Sequence, residues 1–100
     1  MNQLLNQIKT DNIYVSFDAD VGAYKSIFAA RFLDRIGLEE KTISEIARQI
    51  GSRVKAGQFE LVGFDVMEID THLLGLELPE GRRDTTCAVC NGFIRNLLAI

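Results

Sequence analysis

Asp18 and Asp20 stand one residue apart at the end of Tyr14-Val15-Ser16-Phe17-Asp18-Ala19-Asp20, where an apolar run gives way to carboxylates. On an extended backbone, residues i and i+2 point to the same side with their Cα atoms about 7 Å apart. Two carboxylates placed that way repel each other unless something cationic lies between them. A divalent ion, or a pair of ions bridged by water, meets that need. A third acid, Glu68, ends a second apolar run, Leu61-Val62-Gly63-Phe64-Asp65-Val66-Met67-Glu68-Ile69. Ligands and metals collect at the carboxyl ends of parallel strands in α/β proteins. If the two runs are parallel strands, all three acids reach one edge. Any single Asp or Glu is more often a solvated loop acid or a helix cap. The trio is the stronger signal, because each member terminates an apolar strand.

The elements that must position these acids read as helix, strand, helix, helix, strand, loop and helix. Leu4, Leu5 and Ile8 make a short amphipathic turn, and Ile13 to Phe17 a buried strand. From Ser26 to Ile36, the residues Ile27, Phe28, Ala30, Phe32, Leu33 and Ile36 give a helix with a broad apolar face. Gly37 would stop it by adopting a left-handed backbone. A second helix runs from about Thr42 to Val54, with Ile43, Ile46, Ala47, Ile50 and Val54 inward and Glu45, Arg48 and Arg53 outward. Ala56-Gly57 breaks it. Phe59 to Ile69 is the second strand, whose near-continuous apolar run predicts burial on both faces. Pro79-Glu80-Gly81 is a turn, and Asp84 or Thr85 can cap the last helix. Two parallel strands joined by a helical crossover form a right-handed unit. Two strands have too little sheet to stand alone. The chain is therefore part of a larger α/β sheet, or other chains complete its open edges.

Four further sets of residues invite a role. Asp65 lies inside the second strand and is expected to be partly buried and hydrogen-bonded, a structural role. His72 lies just past that strand, within reach of the acidic rim; a lone histidine there is more often a packing residue than a ligand or proton carrier. Arg82 and Arg83 could meet an anion but read better as a solvated loop pair. Cys87 and Cys90 form one Cys-x-x-Cys, half of what a structural zinc site needs. Cys90 continues the helical stripe of Phe93, Ile94, Leu97 and Leu98, so core packing outranks redox or metal chemistry for the pair.

The 100 residues make one domain, 1–100, with 47% hydrophobic and 25% charged residues, ordinary for a soluble globular protein. A net charge of −3 gives no basic face for nucleic acid. The start lacks a basic segment followed by an apolar core, so no signal peptide is expected. Arg31 and Asp34 interrupt the best apolar stretch, so no membrane span is expected and the cytoplasm is the predicted compartment.

Taken in order, Leu4 to Asp20, then Gly37-Leu38-Glu39-Glu40-Lys41-Thr42-Ile43, then Leu61 to Ile69 resemble the C-terminal part of the ureohydrolases, the family of arginase, agmatinase and formiminoglutamase. The family's Ser-x-Asp-x-Asp metal motif is matched by Ser16-Phe17-Asp18-Ala19-Asp20. Its later Gly-x-Asp-x-x-Glu strand is matched by Gly63-Phe64-Asp65-Val66-Met67-Glu68. The resemblance implies a three-layer α/β/α fold with parallel strands, arginase-like, of which this chain holds a C-terminal portion of the sheet. It implies two Mn²⁺ ions per complete site, with Asp18 and Asp20 among the metal ligands and Glu68 binding the substrate's guanidinium or amidine group. The activity implied is hydrolysis of a non-peptide C–N bond, the metals lowering the pKa of bound water. Partners would be a small guanidino or amidine substrate and either further copies of the chain or the rest of the same protein.

The family's upstream Gly-Gly-Asp-His and Asp-Ala-His-x-Asp patterns are absent, and the single histidine cannot replace them. After Asp20 the chain continues Val21-Gly22-Ala23-Tyr24 instead of the family's Asp-Pro and loop, and Asp70-Thr71 follows where Asn-Pro is common. The expectation is a hydrolase region inactive by itself for want of upstream ligands. The alternative is a non-catalytic arginase-fold module for oligomerisation or single-metal binding.

Overall fold

The structure, a computed structural model, describes residues 1–23, 27, 29, 37–78 and 80–100. The elements are α1 (Asn2–Asn6), β1 (Asn12–Asp18), a 3-10 turn (Ala19–Val21), α2 (Glu40–Lys55), β2 (Glu60–Met67) and α3 (Thr86–Leu97). The helix expected over Ser26 to Ile36 lies outside the described residues, except for Ile27 and Ala29, which are both fully buried.

β1 and β2 pair in parallel, which the apolar runs predict. Their register starts with Asn12 beside Glu60 and Ile13 beside Leu61 and then slips, so that Tyr14 lies beside Gly63, Ser16 beside Asp65 and Asp18 beside Met67. Val62 is the extra residue of this bulge. Side chains alternate along a strand, so a slip of one residue exchanges the faces of everything beyond it. Here the exchange matches the two strands. Phe64 and Val66 join Val15 and Phe17 against the core, while Asp65 turns outward with Ser16. Without the slip, Asp65 would lie beside Phe17 on the core side and Phe64 would face out.

The core is one cluster in which Phe17 and Ala19 of the first strand–turn unit meet Ile43 and Ala47 of α2 and Val89, Cys90, Phe93 and Leu97 of α3. Phe17 and Phe93 stack with ring centroids 4.5 Å apart. Gly51 lets α2 approach the end of α3, since a Cβ there would press on the Asn96 and Leu97 carbonyls. Past α2, Gly57 has a φ of 82°, and the bonds from Gly57 N–H to the Val54 carbonyl and from Gln58 N–H to the Arg53 carbonyl complete a Schellman cap. This is the predicted break at Ala56-Gly57.

Two expectations are corrected. Gly37 is not a left-handed stop: the glycines with positive φ among the described residues are Gly57, Gly75 and Gly81. Its small size serves close approach, because a Cβ would lie 2.7 Å from the Ala23 backbone nitrogen. The strands are also not buried on both faces. Opposite the helices, Tyr14, Val62 and Met67 are 58%, 60% and 50% exposed. The apolar run suits a strand covered on two sides, but α2 and α3 both lie on one.

Candidate functional site

Parallel pairing brings the carboxyl ends of β1 and β2 to one edge. Asp18 ends β1 directly beside Met67, the end of β2, and Glu68 follows one residue on. Beyond Asp18 the chain is no longer extended. The Asp18 carboxylate accepts the Asp20 N–H at 2.9 Å and caps the Ala19–Val21 turn. Asp20 therefore sits in a 3-10 turn, half-buried, while Asp18 is exposed. The side-by-side, extended arrangement expected of the pair gives way because a short acid at a strand end readily satisfies a nearby N–H.

Glu68 is exposed and leaves β2 with a φ of 65°. That left-handed conformation costs a non-glycine residue roughly 1 kcal/mol or more, and such outliers cluster at functional sites. A hollow of about 330 Å³ lined by Glu68, Ile69, Asp70 and Thr71 opens beside it. The Asp70 N–H donates to the Ala29 carbonyl at 2.9 Å, and its carboxylate accepts the His72 N–H at 3.0 Å. These bonds tie down Asp70, one of the residues lining the hollow. His72 is exposed, on the same loop.

A pair of hard divalent ions takes up to six donors each, mostly oxygens. Among the described residues, no three histidine, cysteine or carboxylate side chains gather closely enough to hold a metal ion. The described donors therefore do not by themselves make a binuclear centre.

Asp65 behaves as expected and shows partners the sequence reading missed. Its carboxylate accepts the Ser16 hydroxyl at 2.6 Å through one oxygen and the Tyr14 hydroxyl at 2.8 Å through the other. The Ser16 and Tyr14 hydroxyls hold the Asp65 carboxyl below its ordinary range, and the same bond to Asp65 pushes the Tyr14 phenol up. The signal available in the sequence was the spacing: Tyr14, Ser16 and Asp18 share one face of a strand.

Other candidates are engaged elsewhere. A groove of about 790 Å³ is lined by Asp11, Asn12, Phe59, Glu60 and the last turns of α2 and α3. It lies at the amino edge of the strands, about 20 Å from the acids by strand length. Arg82 pairs with Glu80 at 3.2 Å, and Arg83 donates to the Gly75 carbonyl at 3.3 Å. Cys87 is exposed and Cys90 buried, where desolvation first, then Cys87 and Asp84, push its thiol up to about 11. A buried thiol of that kind packs rather than reacts. No helix among the described residues is long and apolar enough to cross a membrane.

A parallel strand pair with helices on one side and acids at its carboxyl edge is an α/β architecture. Comparison with solved structures shows it to be arginase-like. The chain superposes on proclavaminate amidino hydrolase from Streptomyces clavuligerus with a TM-score of 0.71 at 21% identity, covering 97% of this chain and 29% of that one. Entamoeba histolytica arginase in complex with L-ornithine gives 0.70 at 19% identity, covering 98% and 30%. Helicobacter pylori arginase gives 0.64 at 15% identity, covering 98% and 29%. The chain thus spans about three-tenths of the length of the structures it matches, consistent with the C-terminal portion its motifs resemble. No protein-family model matches it, and no curated protein sequence does.

Proposed function

We propose that the chain works as the C-terminal region of a ureohydrolase-like hydrolase that cleaves non-peptide C–N bonds of a guanidino or amidine compound. The observation that carries this reading is the row at the carboxyl edge, with Asp18 beside Met67 and Glu68 next, inside an arginase-like fold. Glu68 offers its carboxylate to the planar cation of the substrate, beside a hollow of about 330 Å³. A carboxylate accepts two parallel N–H bonds from such a group, which gives orientation as well as charge. Asp18 and Asp20 contribute two ligands to a manganese pair whose other ligands come from outside this chain. The amidinohydrolase and arginases among the structural neighbours support that substrate class. The chain works in the cytoplasm, and it associates with further copies or with the rest of the fold, because among the described residues the two-stranded ribbon has no further strand on either edge.

The test combines the chain with an upstream arginase-like segment, Mn²⁺ and a panel of guanidino compounds. Turnover is expected with the segment and not without it. Asp18→Asn, Asp20→Asn and Glu68→Gln should each abolish it; turnover that survives all three refutes the reading. A second reading, a non-catalytic module for oligomerisation or single-metal binding, draws on the donor count among the described residues. Calorimetric titration with Mn²⁺ separates the two. One weak site or none on the combined protein, without turnover, favours the module.

A further inference from the structure

Ser16, Gly63 and Asp65 belong to the two acid-bearing motifs, and the proposed function gives none of them a metal or a substrate to bind. They meet each other on the open face of the ribbon. Asp65 accepts Ser16 through one carboxylate oxygen and Tyr14 through the other, so one side chain on β2 grips two on β1. The Tyr14 ring reaches Asp65 by passing over Gly63, where a Cβ would lie 2.8 Å from Tyr14 Cε2. The grip falls just past the Val62 bulge, on the stretch whose register the bulge has shifted.

We propose that Asp65 is a positioning residue for the acid row: through Ser16 and Tyr14 it holds the slipped register that sets Asp18 beside Met67, with Glu68 one residue beyond. The physical need is specific. Parallel pairing alone does not choose between registers, and a slip of one residue reverses every outward side chain. The apolar residues Phe64 and Val66 favour the slipped register by entering the core. A register undone would also bring the Asp65 carboxylate beside Phe17, a costly burial of charge. The clamp adds a directional term, since two hydroxyls 49 and 51 positions away in sequence can meet both oxygens in one register only. A carboxylate accepting hydroxyls makes charge-assisted bonds, roughly twice as strong as neutral ones.

The groups facing Asp65 are Tyr14 and Ser16 on β1 and Gly63 and Met67 along its own outer row; the nearest further carboxylate in that row is Asp18, beside Met67. The helices α2 and α3 pack on the other face. The inference concerns strand register, so it stands or falls without reference to turnover.

Two measurements on the full chain test it. The first is amide hydrogen exchange at neutral pH in the parent, Asp65→Ala, Asp65→Asn and Tyr14→Phe. Asp65→Ala should speed exchange of the β1–β2 amides by about tenfold, the scale of a lost charge-assisted bond, and leave α2 and α3 unchanged. Asp65→Asn and Tyr14→Phe should give smaller changes confined to the same amides. Unchanged β1 protection in Asp65→Ala, or equal acceleration in strands and helices, overturns the proposal. The second is the ultraviolet titration of Tyr14 in a Tyr24→Phe background, Tyr14 and Tyr24 being the two tyrosines. Its midpoint should lie above the ordinary 10.0 and return toward it in Asp65→Asn. A midpoint that Asp65→Asn leaves in place overturns the clamp even where a variant is well folded.

Discussion

The two faces of the β1–β2 ribbon are built from alternate residues of the same strands, yet they are held by different physics. On the covered face, Val15, Phe17, Phe64 and Val66 meet α2 and α3, and close packing decides their positions. On the open face, Tyr14, Val62 and Met67 are exposed, and order comes from the Asp65 hydrogen bonds. The covered face supplies stability and, by drawing in Phe64 and Val66, favours the slipped register. The open face contributes little burial and adds directional hydrogen bonds that fit that register. A small α/β piece can thus be firm on one side and directional on the other.

The largest effect should come from the covered face. Phe93→Ala removes the ring stacked on Phe17 and is expected to cost about 3–5 kcal/mol in urea unfolding. A loss under about 1 kcal/mol would mean that the core is not packed as described. Next comes the buried polar link at the start of α3. The Thr86 hydroxyl is fully buried, donates to Asp84 and accepts the Ala29 N–H at 3.0 Å. Thr86→Val keeps the shape but strands that N–H, for an expected loss of about 1–3 kcal/mol in the same assay.

The open face should respond to acid instead. The Asp65 carboxyl is held below its ordinary 3.8 by Ser16 and then Tyr14, so its contribution is complete above that value and lost as pH falls through the lowered one. The midpoint of thermal unfolding is therefore expected to drop in the acid range, with the Asp65 part of that drop missing in Asp65→Asn. Parallel curves for the two proteins would remove the distinction between the faces. The smallest effect is expected at Val62, 60% exposed on the bulge. Val62→Lys should stay within about 0.5 kcal/mol of the parent. A large destabilisation there would show that the open face is covered after all.

Much of the fold was legible because helices and strands announce themselves locally. Of the expected α2 stripe, Ile43 and Ala47 are buried and Ile46, Ile50 and Val54 half-buried, and Cys90, Phe93 and Leu97 bury one side of α3, at the helical spacing. The cap before α3 was legible too: Asp84 accepts the Thr86 N–H at 3.1 Å, with Thr85 at the cap position. Asp18, Asp20 and Glu68 could be picked out as acids ending apolar runs. That Asp20 belongs to a 3-10 turn could not, since the Asp18 carboxylate competes with the extended backbone for its N–H. Nor could the bulge at Val62, which has no local signature and exists through the match between two strands.

The order of residues settled which segments coil and which extend, where the acids stand along them, and which side chains favour burial. These follow from propensity and periodicity, which act over a few neighbouring residues. Folding in three dimensions settled the register of β1 on β2, the outward turn of Asp65, the open face, and the placing of Glu68 one residue past the pair Asp18 and Met67. Those depend on contacts between residues some fifty positions apart, and with alternating side chains a single step of misalignment would have reversed them all.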